Sequence, residues 1–94
     1  MVWVEVELLT QQHSNAVLRL PARRFPGVLV QGDSLQVLTE DLERAQRALQ
    51  RGEVADAQDE LDSLVASLRE LRDTYVAVLD AAGVPLPFNR PSAG

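Results

Sequence analysis

A chain of 94 residues with 46% apolar content makes one small domain, and its core is small enough that an isolated copy is only modestly stable, so self-association is an expectation from the outset. Fourteen acids against nine bases give a net charge of −5, which argues against nucleic-acid binding, since that needs cations to displace counterions from phosphates. There is no cysteine, and every base is arginine, so disulfides, thiolate metal ligands, cysteine nucleophiles and lysine Schiff bases are excluded.

The opening run "VWVEVELL" alternates. Val2, Val4, Val6 and Leu8 point one way and Trp3, Glu5 and Glu7 the other, the period-two signature of a half-buried strand. It lacks a basic start, and Glu5 and Glu7 interrupt its apolar residues, so it does not read as a signal peptide. No stretch approaches the ~20 consecutive apolar residues of a membrane span. No membrane association and a cytoplasmic location are therefore expected.

"TQQHSN" is polar and turn-rich. "AVLRLP" alternates again, with Ala16, Leu18 and Leu20 opposite Val17 and Arg19, and ends at Pro21. "GVLVQ", after Pro26 and Gly27, is a third short strand. Three strands with short connections predict an antiparallel meander.

From Asp33 the apolar spacing changes to threes and fours: Leu35, Leu38, Leu42, Ala45 and Leu49 line one face of a helix. Asp33 or Ser34 is expected as its N-cap. Glu40 with Arg44 and Glu43 with Arg47 have the favourable i,i+4 order, and Gly52 is a natural stop. A second helix is expected from near Glu53, with Val54, Ala57, Leu61, Leu64, Leu68, Leu71, Tyr75, Val78 and Ala82 on its face and Gly83 closing it. The lengths, ~30 residues or ~45 Å against ~17 or ~26 Å, imply a fold-back at Gly52. Leu49 then lies near Val54, Leu42 near Leu61 and Leu35 near Leu68, and the C-terminal half of the second helix returns to cover the sheet. The hairpin tip, residues 45–60, is left to protrude or to pack on another subunit. "VPLPFNRPSAG", residues 84–94, reads as a Pro-rich extended tail following a single domain of residues 1–83, with Val84, Leu86 and Phe88 able to dock an apolar edge.

Few side chains suggest chemistry. Gly32 and Ser34 would suit a phosphate at a helix N-terminus, but Asp33 puts a carboxylate there and no Walker-type spacing exists, so turn, strand and cap is the better reading. Arg23 and Arg24, beside Phe25, could recognise an anion and are equally ordinary as solvated surface residues. His13, the only histidine, neighbours Ser14 and Asn15, but adjacent side chains rarely converge as base and nucleophile. Acids crowd Glu53, Asp56, Asp59, Glu60 and Asp62. Those in the first turn complement the helix dipole, while Asp56, Asp59 and Glu60 together could also face a basic partner. Trp3 is either an interface anchor or a residue covered by the tail or the neighbouring strand.

"SNAVLRLPARRFPGVLVQGDSLQVL", residues 14–38, resembles the N-terminal signature of a bacterial family of small uncharacterised proteins, a domain of unknown function. In that family a strand, "LP", a basic residue, "FPG", a short strand and "QGDSL" precede helices. The resemblance implies a compact bacterial domain and brings no activity with it. "ALQRGEVADAQDEL" is also similar to the inter-helix turn of a tetratricopeptide unit, in a single copy that implies a hairpin and no solenoid.

The reading is therefore an α+β protein, a three-stranded antiparallel meander followed by a helical hairpin with a long second helix (βββαα). Its expected role is that of a non-enzymatic protein–protein interaction module, a homodimer through the hairpin, with an inhibitor or immunity-type binder of a basic protein as a narrower form. No catalytic residue, metal or cofactor is called for, and the interaction candidates are Trp3, Arg23, Arg24, Phe25, Asp56, Asp59 and Glu60. The alternative is a small enzyme or ligand-binding protein built on the His13, Arg23 and Arg24 loops.

Overall fold

The computed structural model describes residues 1–10 and 16–91. The architecture is the expected one. Three short strands, β1 (Glu7–Leu8), β2 (Val17–Arg19) and β3 (Gly27–Val28), form an antiparallel sheet in the order β1-β2-β3. Two helices follow, α1 (Gly32–Gln50) and the longer α2 (Val54–Ala82). The chain divides into two compact units, Met1–Leu29 with Asp73–Gly94, and Val30–Arg72. The α2 helix contributes to both.

In the first unit the sheet register pairs Glu7 with Arg19, Leu8 with Leu18, Val17 with Val28 and Leu18 with Gly27. Val17 is wholly buried against Tyr75 and Leu79 of α2, with Leu9, Val28 and Val78 packed around them. The C-terminal half of α2 thus covers one sheet face, as the helix lengths required. The Tyr75 hydroxyl donates to the Pro26 carbonyl at 2.6 Å. Residues after Gly83 join this core. Val84 and Leu86 pack on it, the Phe88 ring stacks on Tyr75 with centroids 6.1 Å apart, and Arg90 reaches back to both carboxylate oxygens of Asp80. That pairing holds the Asp80 carboxyl below its usual range.

The first strand is much shorter than the alternation in residues 2–8 suggests, and the ladder explains why. Leu9 N–H donates to Val17 O at 2.8 Å, so hydrogen-bonded pairs fall on the odd residues of the first strand. The next pair after Glu7 with Arg19 would join Glu5 to Pro21, and proline has no N–H to give. Beyond it the chain turns away: Ala22 takes φ 61° and Arg23 N–H donates to Leu20 O. The alternation is real, but its apolar side faces outward. Glu7, Leu9, Val17 and Arg19 share the face turned toward α2, and Val6 and Leu8 lie exposed on the other.

In the second unit, α1 and α2 pack as an antiparallel hairpin. Both helices end in the same way. Gly52 N–H donates to Leu49 O and Glu53 N–H to Ala48 O; Gly83 N–H donates to Asp80 O and Val84 N–H to Leu79 O. This is the Schellman arrangement, and its left-handed residue is Gly in each case, with φ 76° at Gly52 and 70° at Gly83. The start of α1 departs from expectation. Gln31 occupies the cap with no side-chain bond, and neither Asp33 nor Ser34 caps, because both already lie inside the first turn. Asp33 Oδ1 accepts from the Ser34 N–H instead, and its charge sits at the positive end of the helix dipole.

Candidate interaction surface

The residues expected to form the α1 core stripe are split by the structure. The α1 residues buried against α2 are Ala45 and Ala48, with Ala57 and Leu64 buried on α2. Leu35, Leu42 and Leu49 remain 58%, 55% and 52% exposed, so they are no part of the core. Their spacing of one heptad sets them within about 20° of a single line along α1, while Ala45 and Ala48 lie about 60–120° further round.

On α2, Val54, Leu61, Val65 and Leu68 are displaced in the same way from the Ala57 and Leu64 contact line. Angular sense reverses between antiparallel helices, so this displacement brings them to the same side of the hairpin as the three α1 leucines. Of these, Val54, Val65 and Leu68 are among the exposed large apolar side chains. The hairpin therefore carries a continuous apolar face made by both helices.

The opposite side is charged. Arg44, Arg51, Glu53, Asp56, Asp59 and Glu60 surround Ala48 in a shallow depression of about 320 Å³. Arg44 bonds Asp41 at 2.6 Å and lies 3.4 Å from Glu60, and Arg51 grips both carboxylate oxygens of Glu53. These bonds raise both guanidinium pKa values further and hold the Glu53 carboxyl below its usual range. The geometric partner of Arg44 is thus Asp41, one residue from the expected Glu40, whose charge adds only a weaker attraction.

The remaining sequence candidates are scattered. Trp3 is 87% exposed, covered by neither tail nor strand. Arg23 is exposed. Arg24 lies over the Phe25 ring, 5.0 Å from its centroid, and its carbonyl accepts from Arg19 Nη1. Arg19 in turn pairs with Glu7 at 2.6 Å. His13, Ser14 and Asn15 lie outside the described residues. Among the described residues no group of three or more His, Cys, Asp or Glu is placed to hold a metal ion, and no helix is long and apolar enough to cross a membrane.

Sequence reasoning left the hairpin tip, residues 45–60, open to another subunit, and Leu49 and Val54 there are exposed; it missed that the exposed line runs on along α1 through Leu42 to Leu35. The signal for that line was present, because α1 carries more apolar residues than one contact stripe uses.

Meander, hairpin and returning tail define a small α+β protein of βββαα topology. Residues 1–88 match the model of DUF6959, a family of unknown function, and the chain belongs to that family. The match takes in both helices, well beyond the signature at residues 14–38. No curated protein and no solved structure gives a significant match.

Proposed function

We propose that this protein is a non-enzymatic interaction module that self-associates through the apolar face of its helical hairpin. The observation that carries the reading is the row of leucines Leu35, Leu42 and Leu49, each more than half exposed and one heptad apart. A contiguous apolar patch of this kind on a small domain marks a contact surface. A two-helix layer with one apolar side open is half of a four-helix bundle, and a second copy brings a face of identical chemistry. An acidic patch for a basic partner has less support, because Arg44 and Arg51 stand among the acids and pair with them.

Light scattering at tens of micromolar should return the mass of a dimer. The triple variant Leu35→Gln, Leu42→Gln, Leu49→Gln should return a monomer that keeps its helical circular dichroism, since each of those residues is more than half exposed. A wild-type monomer at that concentration would refute the reading.

A further inference from the structure

The strand edge offers a second, independent surface. β1 is the outer strand of the sheet, and the five residues before it make no backbone hydrogen bonds among the described residues. The run from Val2 to Leu8 shows neither turn nor bend. It is rich in β-branched residues, and Pro21 denies it the neighbour it would otherwise pair with. Odd residues direct their N–H and C=O toward β2, so continuing the strand directs those of Val2, Val4 and Val6 outward, to an open edge. Such an edge is a template for another strand.

The sequence selects the partner strand. In an antiparallel pair of identical strands, a twofold axis passing between two residues would set valines opposite Trp3 and Glu5, mixing the faces. An axis through Glu5 sets that acid against its own copy, and one through Val6 sets Glu5 against Glu7. An axis through Trp3 stacks the two indoles and shortens the overlap. An axis through Val4 sets Val4 opposite Val4, Val2 opposite Val6 and Trp3 opposite Glu5. It leaves no acid facing an acid, keeps the apolar face continuous and places every outward N–H on a partner carbonyl.

We propose that residues 2–6 extend β1 and pair antiparallel with the same segment of a second copy, about a twofold axis through Val4. This contact does not depend on the helical face.

Native cysteine is absent, so single cysteines report the register directly. The test uses the full chain carrying the Leu35→Gln, Leu42→Gln, Leu49→Gln changes, in a glutathione redox buffer. Val4→Cys should cross-link to itself, since Cα atoms in a hydrogen-bonded pair sit about 5.5 Å apart, within disulfide range. Val2→Cys should not cross-link alone, its copies being about 14 Å apart, but should do so when mixed with Val6→Cys. Trp3 is the only tryptophan, and its emission should shift to the blue as concentration rises, a shift lost in Val4→Pro. Self-linking of Val2→Cys as readily as Val4→Cys, or Trp emission constant to millimolar concentration, would overturn the proposal. Pairing over only five residues is weak and forms toward millimolar concentration, so at tens of micromolar loss of the dimer in the triple variant reports on the helical face alone, and the two readings fail independently.

Discussion

Leu79 and Leu35 are both helical leucines, and their surroundings give them opposite roles. Leu79 is wholly buried against Val17 and Tyr75, whereas Leu35 is more than half exposed. Leu79→Ala should cost about 2–5 kcal/mol, read from urea unfolding. Leu35→Ala should change the stability of a dilute sample by less than about 0.5 kcal/mol. Tyr75 adds a polar tether to the same core. Tyr75→Phe leaves the Pro26 carbonyl without its donor and should lower stability by about 1 kcal/mol. Burial also pushes the Tyr75 hydroxyl above its ordinary range. As pH rises, the unfolded chain therefore loses that proton before the folded one does. The contribution is complete below about pH 10 and declines as pH climbs toward the raised folded value. Denaturation curves across that window should show the decline in wild type and a shallower one in Tyr75→Phe.

At the level of elements, periodicity located all five segments and their order. Two boundaries could not be read from it. The end of β1 depends on Pro21, which lies across the ladder and not beside β1 in sequence, so alternation alone overextends the strand. The α1 cap depends on where the chain leaves β3, and a polar run of Gln31, Gly32, Asp33 and Ser34 offers several starts. The choice of α1 face was hidden for a different reason. Leu38 and Ala45 sit beside both the leucine line and the alanine line, so the three-four spacing fits either. The structure buries the alanines, together with Ala57 and Leu64 of α2, and nothing in the α1 spacing alone records that choice. The candidate site was legible at the hairpin tip, residues 45–60, and not in its extension along α1 to Leu42 and Leu35. The turn at Gly52 was legible and carries a quantitative expectation. Gly52→Ala places a Cβ in the left-handed region and should cost about 1–2 kcal/mol, measured by thermal unfolding, although space around the position is open.

For the molecule as a whole, association adds a term to stability that depends on concentration. If the hairpin faces meet, the wild-type melting temperature should rise with protein concentration while that of the triple glutamine variant stays constant. Net charge opposes this only weakly at physiological salt, where exposed charges beyond ~8 Å are largely screened. Four acids from the crowded start of α2, Glu53, Asp56, Asp59 and Glu60, line the opposite side of the hairpin.

The first unit is assembled from the two ends of the chain, with the hairpin unit lying between them in sequence. This has a kinetic consequence. Tyr75 and Pro26 are 49 residues apart, so joining them in an unfolded chain closes a long loop at an entropic cost. A hairpin formed beforehand, from contacts local to Gly52, takes most of that loop out of play. The helical turn should therefore belong to the folding nucleus, and the sheet contacts should follow the barrier. In stopped-flow chevrons, Gly52→Ala should act mainly by slowing folding, and Val17→Ala mainly by speeding unfolding.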